Sequence, residues 1–131
     1  LGLGGLITEV LAPPRWLPAA TQGTIGVQRR ADDASAASLV AVLGDADAML
    51  RTRAERAVSA ALHGSCQVPL AVYAEQREGG FRISGLVGMP DGSRVLHAVA
   101  EGPAGDVDRL AASVARDLLD QGADRIIAAL A

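Results

Sequence analysis

A chain of 131 residues can fold as one ordinary domain with a modest core. Half of it is apolar, yet Trp16, Tyr73 and Phe81 are its only aromatics, so the core must be built from Leu, Val, Ile and Ala. A net charge of −3 argues against nucleic acid or an anionic membrane as the main partner, and a single Cys excludes an internal disulfide.

That lone Cys fits either a reducing compartment or a functional thiol, and a cytoplasmic location is the expectation. The basic residues are all Arg. Arg suits bidentate carboxylate binding, although a biased composition gives the same count. The longest charge-free run, Ala57 to Ala74, is interrupted by His63, Gly64, Ser65, Gln67 and Pro69, so it does not read as a membrane-spanning helix. The opening Leu1-Gly2-Leu3-Gly4-Gly5 has no Met and no targeting pattern, and the expectation is a fragment of a longer protein.

Residues 3–11 read as a short helical piece ended by Pro13-Pro14, and Pro13 to Pro18 reads as a connector or hinge. Thr24 to Gln28 is a short strand candidate. Asp32 and Asp33 offer caps for a helix over about 34–43, which Gly44 stops. A second helix, about 46–63, carries Leu50, Ala54, Ala57, Val58 and Ala61 on its expected buried face, with Arg51 and Glu55 on a polar one.

Three strands are expected next. Val68–Arg77 alternates through Val68, Leu70, Val72 and Ala74, and Phe81–Val87 places Phe81, Ile83 and Val87 on one face. Arg94–Ala100 completes a meander, with turns at Glu78-Gly79-Gly80 and Pro90-Asp91-Gly92. Val107, Leu110, Ala111, Val114, Ala115, Leu118 and Leu119 then follow helical spacing closely. Gly122 is placed to end that helix, and Asp124 to cap a short last one holding Ile126, Ile127 and Leu130. The fold class expected is α+β: a three-stranded antiparallel sheet with helices on one face. The first 44 residues do not obviously belong to that unit.

Among residues able to carry chemistry, Cys66 stands between a helix and a strand in His63-Gly64-Ser65-Cys66-Gln67-Val68-Pro69. It reads as a small inert residue or as a working thiol. Its position beyond a helix C-terminus does not favour the thiolate, so any activation must come from Arg residues or from a strongly electrophilic partner. His63 and His97 have no Cys or carboxylate at ligand spacing, so no metal site is expected. Gly2, Gly4 and Gly5 lack the strand and the Lys of a phosphate loop. Asp45 and Asp47 read as helix-start charges. Arg51, Arg53 and Arg56 form either a solvated helix face or a carboxylate or interdomain contact.

Gly64-Ser65-Cys66-Gln67-Val68-Pro69 resembles the cofactor loop of the porphobilinogen deaminase (hydroxymethylbilane synthase) family. The preceding Ala54-Glu55-Arg56-Ala57 resembles its Ala-Glu-Arg-Ala helix, and Pro18-Ala19-Ala20-Thr21-Gln22-Gly23-Thr24-Ile25-Gly26 resembles its Pro-Ala-x-Gly-Gln-Gly-x-x-Gly segment. Leu86-Val87-Gly88-Met89-Pro90-Asp91-Gly92-Ser93 resembles a hairpin of its third domain, and Gln121-Gly122-Ala123 fits its ending. The chain departs from the pattern at Thr21 and Ser65, where Gly is usual, and at Gln28, where an acidic residue is.

The resemblance implies a transferase of tetrapyrrole and haem biosynthesis that joins four porphobilinogen units into hydroxymethylbilane, releasing ammonia at each step. It implies a dipyrromethane cofactor held by a thioether to Cys66, with Gln22 as a further cleft residue or a hydrogen-bonding residue of the hinge. Residues 1–17 would end a second domain, residues 18–44 would form a hinge and return to a first domain, and residues 45–131 would be the cofactor-bearing third. The catalytic Asp and most carboxylate-binding cations would lie upstream, so the chain alone is expected to be inactive. From a different class, the chain could be a non-catalytic α+β interaction module with a structural Cys.

Overall fold

The computed structural model describes residues 2–63 and 68–129. Helix α1 (Ala34–Ala41) starts at Asp33, whose carboxylate accepts from the Ala36 N–H at 2.8 Å. Helix α2 (Ala46–Ala61) starts in the same way at Asp45, which accepts from Ala48 N–H at 2.8 Å. Each cap satisfies an amide that the first helical turn leaves without an intrahelical partner.

Strands β1 (Leu70–Arg77), β2 (Gly80–Gly88) and β3 (Val95–Gly102) form an antiparallel meander in the order β1-β2-β3. Their register sets Val72 beside Gly85 and Ala98, and Ala74 beside Ile83 and Ala100. Leu70, Val87 and Leu96 form a further row on the same face. Gly79, at φ +83°, lets the first hairpin turn within two residues.

That face is covered by helix α3 (Val107–Asp120), which packs on β2 and β3, and by α2, which packs on β1 and α3. The α3 stripe of Val107, Leu110, Ala111, Val114, Ala115 and Leu118 is buried along its length. Its approach to the sheet depends on Gly85: a Cβ there would lie 2.8 Å from Val114 Cγ1 and 3.0 Å from Leu118 Cδ1. Gly122, at φ +97°, ends α3 in the left-handed conformation, and helix α4 (Ala123–Ala128) adds buried Ala123 and Ile126. The Gln121 side chain donates to the His97 carbonyl on the outer side of β3 at 2.9 Å, while Arg94 donates to the Gln121 carbonyl at 2.6 Å. The result is a two-layer α+β unit with helices on one face of the sheet.

Five local expectations are corrected. Residues 3–11 form only a single 3-10 turn, Gly4–Leu6, because an exposed Gly-rich segment has neither helix propensity nor packing to hold it. Thr24 to Gln28 pairs with no strand among the described residues and is exposed, since a lone strand has no ladder to complete. The last helix has Gly122 as its N-cap, so Asp124 lies in the first turn instead of capping it. Finally, Glu55 is buried at 7% exposure, and Leu62 takes the buried position expected for Ala61. Leu130 lies outside the described residues.

Candidate active site and family

Cys66 itself lies outside the described residues, but the elements on either side of it are fixed. Before it, α2 closes with Leu62 buried in the core and His63 exposed at φ +52°. After it, the Pro69 carbonyl accepts from Gly88 N–H at 3.2 Å, and β1 begins at Leu70. Residues 64–67 link these two elements in sequence.

The segment from Pro18 to Gly23, which continues that connector, meets the same outer strand. The Pro18 carbonyl accepts from Val72 N–H at 3.1 Å, as a neighbouring strand would. The next outward amide of β1, Ala74 N–H, donates to Glu55 Oε1 at 2.8 Å. The other carboxylate oxygen, Oε2, accepts from Thr21 N–H at 2.6 Å. Thr21 has φ +61°, a left-handed conformation that is costly for a β-branched residue.

Gln22 closes the connector on itself. Its Oε1 accepts from Ala19 N–H at 3.2 Å, and its own N–H donates to the Ala19 carbonyl at 3.1 Å. The side chain also lines a depression of about 220 Å³ with Arg51, Glu55 and Tyr73. Both roles considered for Gln22 are therefore compatible with its place, which is exposed, at the rim of this depression.

The three arginines of α2 part company. Arg53 pairs with Asp108 of α3 at the protein surface, a contact of small net value. Arg51 faces the depression beside Gln22, and Arg56 lines a second one, about 250 Å³, with Ala20, Thr21 and Ser59. His97 is exposed on β3 and His63 at the end of α2. Among the described residues, no group of three or more His, Cys, Asp or Glu side chains is placed to hold a metal.

Glu55 is the residue that periodicity could have found. Val58 and Leu62, three and seven positions on, are both buried, so Glu55 stands on the core stripe and not opposite it. Its charge disguised that position.

The sequence of residues 49–120 matches the family described as Porphobilinogen deaminase, C-terminal domain. Curated relatives agree over nearly all of the chain. A porphobilinogen deaminase of Chromobacterium violaceum is 48% identical over 99% of this chain and 42% of its own length. One from Xanthomonas oryzae pv. oryzae is 44% identical over 99% of the chain and 43% of its own length. One from Paraburkholderia phytofirmans is 47% identical over 99% of the chain and 39% of its own length. The chain spans about two fifths of the length of these relatives. Its matched region covers most of α2, the Cys66 segment, the complete sheet and α3, and the chain therefore belongs to the porphobilinogen deaminase family, whose C-terminal domain it contains.

Proposed function

We propose that this chain is the cofactor-bearing portion of a longer, cytoplasmic porphobilinogen deaminase, a transferase that assembles hydroxymethylbilane from four porphobilinogen units. The observation that carries the reading is the single thiol of the sequence, Cys66, lying inside the family-matched stretch between α2 and β1. Residues 1–17 would finish a second domain, 18–44 would cross a hinge into a first, and 45–131 would form the third. Exposure of Leu6, Ile25 and Val42 supports that division, because such side chains are expected to be covered by the upstream part of the same protein.

The residues present fit a dipyrromethane group in their chemistry. Cys66 offers a thiol to close a thioether, and Arg51 and Arg56 are exposed guanidinium groups suited to carboxylates. When bound, that group supplies a covalently tethered pyrrole carbon to which further units are joined. The chain's own contribution is to bind and orient. The thioether formed by Cys66 prevents loss of the growing product between additions, which makes successive steps effectively intramolecular. Cys66, between α2 and β1 in sequence, would be the point from which the tether starts. Proton transfers and most carboxylate clamps are left to upstream residues.

Intact-protein mass spectrometry of the full-length protein tests this. An adduct of dipyrromethane mass, lost in Cys66→Ala together with activity, is the expected result. An unmodified and active protein would sink the reading. The 131-residue chain alone is expected to turn over no porphobilinogen.

A further inference from the structure

The buried carboxylate of Glu55 holds two backbone amides from segments far apart in sequence: Thr21 in the connector and Ala74 in β1. Each oxygen serves one of them, at 2.6 Å and 2.8 Å. With the Pro18 carbonyl on Val72 N–H, these bonds continue the ladder along the outer edge of β1 and fasten the connector to it. Thr21 is held in a left-handed conformation at the same point. A surface ion pair could be exchanged for water at little cost, but a carboxylate at 7% exposure with both oxygens committed to amides cannot.

We propose that Glu55 is a positioning residue that locks the connector 18–23 onto β1. In doing so it sets the direction in which the upstream part of the protein meets the domain carrying Cys66. The proposal rests, for its catalytic consequence, on the function proposed above. The chemistry requires a carboxylate and not merely a polar side chain. Glutamine keeps the shape but turns one of the two acceptors into an N–H₂ donor facing an amide donor. Glu55 touches neither substrate nor tether in this scheme and acts through the connector.

The test is Glu55→Gln in the full-length protein, with hydrogen exchange, intact mass and turnover measured on one preparation. Expected is a loss of protection of about ten-fold or more at residues 19–23, with β2 protected as in the parent. The mass of the Cys66 adduct should be retained. Turnover per adduct-bearing molecule should fall about ten-fold or more, since a misplaced reacting group loses rate steeply. Normalising to adduct-bearing molecules removes the effect of simple instability. Unchanged protection at 19–23, or unchanged normalised turnover once protection is lost, overturns the proposal. If the variant also loses protection in β2, the parent protein decides instead. Its Thr21 amide should then exchange more slowly than the random-coil rate by about ten-fold or more, and faster exchange rejects the lock. A parent protein without deaminase activity would reject the functional reading alone, and the exchange measurements would still judge the lock.

Discussion

Two stretches of this chain have similar apolar content in sequence and opposite fates in structure. From Ala46 onward, apolar side chains find one another: Val58, Val72, Ile83, Val87 and Leu118 are fully buried. Before it, Ile25 is 90% exposed, Val42 84% and Leu39 72%. The difference is not local propensity, because α1 has as good an N-cap as α2. It is the presence of a sheet: α2 and α3 have a flat apolar face to cover, and among the described residues α1 makes no comparable packing contact with any other element. A helix is formed by its caps and hydrogen bonds but is stabilised mainly by what its apolar stripe covers.

The contrast can be broken most directly by truncating one Leu in each region. Leu118→Ala should cost about 2–5 kcal/mol in denaturant unfolding of the chain, since the side chain is wholly buried. Leu39→Ala should stay within about 0.5 kcal/mol. Equal losses would show that the first region contributes to the same cooperative core.

A smaller effect is expected at the close approach of α3. Gly85→Ala should destabilise by about 1–3 kcal/mol, because its Cβ meets Val114 and Leu118 while neighbouring rows of the sheet stay fixed. A stabilised variant, read by the same unfolding curves, would mean that α3 shifts easily.

The two Asp caps sharpen the comparison further. Asp45→Ala should lower global stability by about 1 kcal/mol. Asp33→Ala should reduce helicity at α1, seen by amide shifts, without moving the global transition. The smallest expectation concerns the β2–β3 turn. There the Ser93 hydroxyl and backbone N–H hold the Asp91 carboxyl below the usual carboxylate range. A folded value below the unfolded one stabilises the turn fully above about pH 3.9, and that contribution is lost as pH falls through the lower folded value. Ser93→Ala should move the Asp91 titration upward, measured by NMR, and an unmoved titration would deny the bond.

Much of the packed unit was legible because its residues obey one period at a time. The α3 stripe repeats at helical spacing, and Leu70, Val72 and Ala74 alternate as a strand must. The turn residues at Gly79, Gly92 and Gly122 all have positive φ, as their neighbours in sequence suggested. Thr24 to Gln28 was misread because alternation reports a preference for extended backbone and says nothing of a partner to pair with. Glu55 was assigned to solvent because a charge is usually exposed, and its two amide partners, Thr21 and Ala74, lie 34 and 19 residues away. Cys66 was singled out through its neighbours' motifs and not through any periodic signal, and its role rests on the proposal above.

The hydrogen bonds at the sheet's margins have a consequence for solution behaviour. A three-stranded sheet has an outer strand at each side, and outer strands recruit further strands from other molecules. Here the Pro18 carbonyl and the Glu55 carboxylate occupy consecutive outward amides of β1, and Gln121 occupies the His97 carbonyl of β3. These outward groups are thereby taken within the molecule, so edge-to-edge pairing with another copy is discouraged at these points of β1 and β3.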